Sequence, residues 1–271
     1  MSEDLKTRLL KSIKQTGFPL ELQVGSTFSK HGWGVQYCRY YIDRDLQKGR
    51  EIDISGYLQV AYDEGDVHVS VGLHLICEVK WSKKRPWVIF STNKGFVEGR
   101  GWLKLYYDNG VSSDDLSTNE IDKGSSVSKF LRIGRSYCEA FKPDDEGSVI
   151  FEALTSAVKA SEHCREINLE ALKSSIKDRY HQGSKLIYFV DPIVVIGGLL
   201  YEAYLNEKDE LELDEVDHML VSFGYISSEY QRRSNLVDIV TVKELPNLLS
   251  SKKKWLNGIK DAIVKKVTKK D

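Results

Sequence analysis

Two carboxylates and an amine stand where rigid strands would hold them: Asp53, Glu78 and Lys80. From Val67 to Lys80 every odd position (Val67, Val69, Val71, Leu73, Leu75, Cys77, Val79) is apolar. Side chains alternate faces along a strand, so Glu78 and Lys80 project together from the other face. From Arg50 to Tyr57, Ile52 and Ile54 take one face, while Glu51, Asp53 and Ser55 take the opposite one. The turn cluster Tyr62-Asp63-Glu64-Gly65-Asp66 between the runs predicts an antiparallel hairpin. Its register, which sequence does not specify, decides whether Asp53 meets Glu78 and Lys80.

Such a set suits hydrolysis of a phosphodiester. An anionic nucleophile must approach an anionic phosphate. A hard divalent cation held by carboxylates offsets that repulsion, activates water and stabilises the leaving oxygen. Mg²⁺ usually takes one or two protein carboxylates and keeps several waters, so Asp53 and Glu78 suffice, with Mn²⁺ able to replace it. Lys80 would orient or help deprotonate the attacking water. The triplet alone is cheap: the chain has 40 acidic residues, and Asp4-Leu5-Lys6 fits the same pattern. A solvated strand face with a cross-strand ion pair is the bland alternative. The apolar strand and the second acid on a preceding strand favour the catalytic reading.

The elements ahead of Asp53 fall into a recognisable order. Gly17 to Val24 reads as a helix start with Pro19 in its first turn, and Gly32 as its stop. Val35 to Ile42 is strand-like, and Asp43 to Arg50 is a polar turn. Helix with Glu21, strand, strand with Asp53, strand with Glu78-Val79-Lys80: this succession resembles the core of the PD-(D/E)xK nuclease superfamily, the restriction-endonuclease-like fold, over residues 17 to 90. The resemblance implies an α/β fold, a central mixed sheet flanked by helices, with additional C-terminal strands and a terminal helix. It also implies Asp53, Glu78, Lys80 and Glu21 as catalytic residues, with Asp53 and Glu78 on Mg²⁺. Ile52 stands where many members carry a proline before the aspartate.

At 271 residues and 41% hydrophobic content, one large domain is expected, with a core over about 17–196 and an elaboration over about 197–271. Lys+Arg 39 against Asp+Glu 40 gives no global basic field, so nucleic acid would have to be held by local patches. Lys83, Lys84 and Arg85 follow the active strand directly and suit phosphate contacts, and Trp81 or Trp87 a stacked base. Lys94, Arg100 and Lys104, interleaved with Phe96 and Trp102, form a second basic stretch. A third runs from Lys252 through Lys253, Lys254, Lys260, Lys265, Lys266 and Lys269 to Lys270, and reads equally as a solvated helix face. Gln23 and Ser26 are weaker candidates near Glu21.

Four cysteines show no CxxC pairing, and Cys38 and Cys77 lie in apolar strand contexts, which predicts buried free thiols in a reducing compartment. His163 and Cys164 are adjacent on a predicted helix and point apart, against a zinc or Cys-His centre. The N-terminus lacks an apolar signal core, and the longest apolar run is broken by Asp191-Pro192, so a cytoplasmic protein without a membrane span is expected. No phosphate-binding GxxxxGK[ST] loop is present, so an ATP-driven step would need a partner subunit such as an ATPase.

Remaining expectations are a helix over residues 4–14, a short strand from Trp87 to Ser91, and a mobile loop from Tyr107 to Ser128. A helix from Val149 to Ile167, separate strands at 185–190 and 193–196, three later strands and an amphipathic C-terminal helix complete the outline. The function these readings predict is a metal-dependent nuclease acting on DNA, able to dimerise and suited to an antiviral defence or restriction role by family association alone. The competing class is a non-catalytic or partner-dependent nucleic-acid-binding subunit.

Overall fold

Alternation and apolar runs in the sequence become a broad mixed sheet flanked by helices. The computed structural model describes residues 3–82, 85–95, 105–143, 146–179, 184–230 and 235–268. Two helices come first, α1 (Glu3–Ile13) and α2 (Phe18–Lys30), then strands β1 (Gly34–Asp43), β2 (Lys48–Glu64), β3 (Val67–Lys80), β4 (Trp87–Asn93) and β5 (Leu105–Asn109). Short helices α3 (Thr118–Asp122) and α4 (Ser126–Lys129) lead to β6 (Arg132–Glu139) and the long α5 (Val149–Arg179). The chain ends with β7 (Lys185–Ile196), β8 (Leu200–Leu205), β9 (Leu211–Val216), β10 (His218–Phe223), β11 (Asn235–Thr241) and α6 (Leu245–Val267).

The sheet runs β1-β2-β3-β7-β11-β10-β6-β4-β8-β9, with β5 added against β7. β2 and β3 form the expected antiparallel hairpin, and β1 extends it to a meander. β3, β7 and β11 are parallel neighbours. Both faces of such a central parallel strand are covered, which is why β7 is apolar almost throughout. It runs unbroken through Asp191-Pro192, where the sequence predicted two strands. Beside β3, its other edge is shared: β5 pairs Leu186 to Phe189, and β11 pairs Ile193 to Ile196. Pro192 stands between them, where that edge has no ladder for a missing N–H to break.

The two faces of β3 meet different helices. Leu73, Leu75, Cys77 and Val79 pack with Leu20, Val24 and Phe28 of α2 and with Trp255, Leu256 and Ile259 of α6. On the reverse face Ile76 joins Ala160 and Cys164 of α5. Close approach of α2 requires glycine on the sheet, since a Cβ at Gly56 would stand 2.3 Å from Phe28 Cε1.

Residues 107–128 do not form the expected loop. They hold the end of β5 and the helices α3 and α4. α3 begins with a capping box in which Ser117 and Glu120 satisfy each other's backbone N–H groups, a pattern legible as Ser-x-x-Glu. β6 and β9 were missed. β9 is an exposed acidic edge whose apolar pair, Leu211 and Leu213, faces solvent, and β6 alternates poorly. No helix among the described residues is long and apolar enough to cross a membrane.

Candidate functional site

The β2–β3 ladder ends at Ile54 opposite Cys77. One residue further, the side chain of Asp53 takes over. Its Oδ2 accepts the main-chain N–H of Val79 at 2.7 Å. At the same level β1 is irregular: Cys38, between the paired residues Tyr37 and Arg39, has φ +52°, in the left-handed region. The alternation expected for β2 breaks here too. Ile54 packs on the α2 and α6 side, whereas Ile52 packs with Ile76, Tyr41 and Ala160 on the α5 side. Asp53 therefore sits at a bend in its strand and reaches across to β3.

Glu78 is buried, and its carboxyl is pushed up to about 8. Desolvation is the main cause. The Lys80 ammonium opposes it, and the Asp53 carboxylate adds to it by charge and by hydrogen bonding to the protonated form. Lys80 Nζ lies 3.5 Å from Glu78 Oε1. The other oxygen, Oε2, is buried with no hydrogen-bond partner. On α2, the Glu21 carboxyl is also raised, by burial first, then by Asp53, with Lys80 opposing. All four residues thus share one electrostatic neighbourhood, gathered from α2, β2 and β3.

Residues outside the motif complete it. Ser156 of α5 hydrogen-bonds Glu78 and also Tyr41, whose phenol is held up at about 12 chiefly by burial. A serine within the buried stripe Ala153, Ala157 and Ala160 was the available signal. Glu51 adds negative charge, reaching Glu21 and hydrogen-bonding Cys38.

Two carboxylates pressed together in a buried setting repel each other unless a proton or a cation lies between them. Hard oxygen donors and an orphaned buried oxygen on Glu78 fit a small divalent ion of the Mg²⁺ type. Among the described residues no group of three or more His, Cys, Asp or Glu converges on a metal position. A two-carboxylate set of this kind suits an ion that keeps most of its waters.

The other sequence candidates divide. Lys83, Lys84, Phe96, Arg100, Trp102, Lys104, Lys269 and Lys270 lie outside the described residues. Arg85 is held in an ion pair by Glu146. Trp81 is 44% exposed, but Trp87 is fully buried and cannot stack on a base. Lys94 donates to the carbonyl of Val127 at 3.0 Å. Gln23 and Ser26 are exposed on α2. Cys77 is buried as expected, whereas Cys38 is exposed, because the β1 edge is open to solvent.

Lys252 departs most from its sequence reading. It is 2% exposed, with Nζ 2.6 Å from Asp191 Oδ2, 2.9 Å from Asp238 Oδ2 and 3.1 Å from Ser126 Oγ. It belongs to the apolar stripe of α6 with Leu248, Leu249, Trp255 and Leu256, a periodicity the run of lysines hid. No family model, curated protein or solved structure matches this chain.

Proposed function

We propose that the chain is a divalent-metal-dependent nuclease with a restriction-endonuclease-like core, hydrolysing phosphodiester bonds in DNA. One observation carries the reading: the Asp53 and Glu78 carboxylates meet at the end of a shared ladder, with Lys80 3.5 Å from Glu78. Burial disfavours the charged form of Glu78 by more than the Lys80 ammonium restores, and a second cation would favour it. Bound Mg²⁺ would supply charge neutralisation, activation of water and stabilisation of the leaving oxygen.

The chain's own residues do the rest. Asp53 is fixed by the Val79 N–H, so its other oxygen has a set direction. Ser156 beside Glu78 favours its charged form. Lys80, 28% exposed, is open enough to meet an attacking water or a phosphate oxygen and close enough to Glu78 to be held in place. Glu21 adds a carboxylate at the rim that can polarise a water.

A second reading, a partner-dependent subunit, is favoured by α1. Its Leu5, Leu9, Leu10 and Ile13 are 44–48% exposed, an apolar stripe on the solvent side of the helix. Purified protein incubated with supercoiled plasmid and Mg²⁺ or Mn²⁺ separates the two. Nicking or linearisation that EDTA and Glu78→Gln both abolish supports the nuclease. A folded, monodisperse protein that leaves plasmid intact with either ion, and that co-purifies with a stoichiometric partner, supports the subunit.

A further inference from the structure

Apart from the carboxylate site, α3, α4 and α6 enclose a groove of about 760 Å³, within the size range of small-molecule pockets. Its charge is one-sided. Lys123, Lys129, Lys254, Lys265 and Lys266 line it against two acids, Glu120 and Asp261. Both acids are already engaged: Lys266 Nζ lies 2.7 Å from Glu120, and Lys260 Nζ lies 3.2 Å from Asp261. Lys129 donates to Ser251 Oγ at 2.9 Å. Among the described residues, Lys123, Lys254 and Lys265 enter no ion pair.

Gathering uncompensated ammonium groups around one concavity raises their mutual repulsion. It is not a by-product of a basic chain, since the net charge is −1. Lys254, Gly258, Asp261, Ala262 and Lys265 recur at three- and four-residue steps, which puts them on one side of α6. The floor is open and firm. A Cβ added at Gly258 or Gly124 would meet nothing within 4 Å. Trp255 is 3% exposed, and its indole N–H is anchored on the Ile121 carbonyl at 2.7 Å.

We propose that this groove binds a phosphate-bearing anion of nucleotide size, the ammonium groups of Lys123, Lys254 and Lys265 meeting phosphate oxygens and the glycine-lined floor accepting the rest of the ligand. The shared chemistry is the phosphate ester or anhydride, supplied by a free nucleotide or by a stretch of nucleic-acid backbone. The proposal does not rest on the nuclease reading.

Calorimetric titration of the full chain with inorganic tripolyphosphate, ATP and a single-stranded oligonucleotide tests it, without divalent ions so that the carboxylate site stays silent. Gly258→Glu is the diagnostic variant. It puts a carboxylate into open floor and replaces a helix-interior glycine by a better helix former. Gly258→Ala is the control that leaves the groove open. Binding of tripolyphosphate and ATP that weakens with salt, falls about tenfold or more in Gly258→Glu and changes less than about twofold in Gly258→Ala supports a nucleotide site. Binding of the oligonucleotide alone, with the same variant pattern, supports the groove and assigns the ligand as nucleic-acid backbone. Lys254→Glu/Lys265→Glu, checked by its melting curve, repeats the test should Gly258→Glu fail to fold. No binding to wild type at millimolar ligand, or binding unchanged in the charge-reversed variants, overturns the proposal.

Discussion

Asp53 Oδ2 accepts the N–H of Val79 at 2.7 Å, one residue past the point where β2 and β3 stop pairing. A side chain does there what a main-chain carbonyl does elsewhere in the ladder. The bond fixes the aspartate and brings it against Glu78, and under the proposed function it gives the residue two separable jobs, structural and catalytic.

Substitutions at position 53 should therefore split. Asp53→Asn keeps an acceptor for Val79 and should melt near wild type. Asp53→Ala strands a backbone donor and should cost about 1–3 kcal/mol. Both should lower plasmid cleavage by about 100-fold or more, as loss of a metal ligand does. Lys80→Ala should lose comparable activity with little change in melting. Cleavage by Lys80→Ala at the wild-type rate would remove Lys80 from the site.

The Glu78 carboxyl gives a pH signature with a definite sign. Its folded value, about 8, lies above the ordinary 4.5, so in metal-free protein the folded state keeps a proton that the unfolded state gives up. Its contribution to stability is full below about pH 4.5 and is lost as pH rises to about 8. Glu78→Gln should flatten this limb. Mg²⁺ should raise the melting temperature of wild type more at pH 8 than at pH 6, and leave Glu78→Gln unmoved. Parallel stability curves for the two proteins between those pH values, with no differential Mg²⁺ effect, would show that Glu78 does not titrate in this way.

His74 works in the opposite sense. Burial, with Arg39 nearby, lowers its imidazole to about 4 from 6.5. The unfolded chain binds the proton first, so stability falls as pH drops from about 6.5 to about 4, by up to about 3 kcal/mol. Phenylalanine there retains the ring contact with Tyr57, 4.4 Å between centroids. His74→Phe should lose that acid limb in urea titrations run across the window. An unchanged slope would mean the imidazole stays solvated.

Lys252 is the cation of a buried cluster. Lys252→Met removes the positive charge between Asp191 and Asp238, leaving two buried carboxylates facing one another, and should cost about 3–5 kcal/mol in chemical denaturation. His218 Nε2 also contacts Asp238, 2.9 Å from its Oδ1. A loss below about 1 kcal/mol would mean that water or a proton replaces the lysine readily.

Gly56 ties the site to packing. An alanine there meets Phe28 at 2.3 Å, so Gly56→Ala should push α2, and Glu21 with it, off the sheet, costing about 1–3 kcal/mol. Phe28→Leu combined with it should recover part of the loss, since the two sites share one contact. Strictly additive effects in the double mutant would place the strain elsewhere.

The sequence by itself determined the local elements and which faces carry charge. The helix from Phe18, the hairpin of β2 and β3, and the joint projection of Glu78 and Lys80 follow from period-two alternation and turn residues, which are properties of neighbouring positions. Register and burial were decided only in three dimensions. The bend that separates Ile52 from Ile54 and swings Asp53 onto Val79 depends on where two strands stop pairing. Pro192 passes through β7 because of the two partners on its far edge. Lys252 is buried because carboxylates on β7 and β11, 61 and 14 residues away in the chain, meet it there. A run of lysines looks alike in sequence whether it faces water or a buried acid, because charge pairing is set by long-range neighbours that no local pattern encodes.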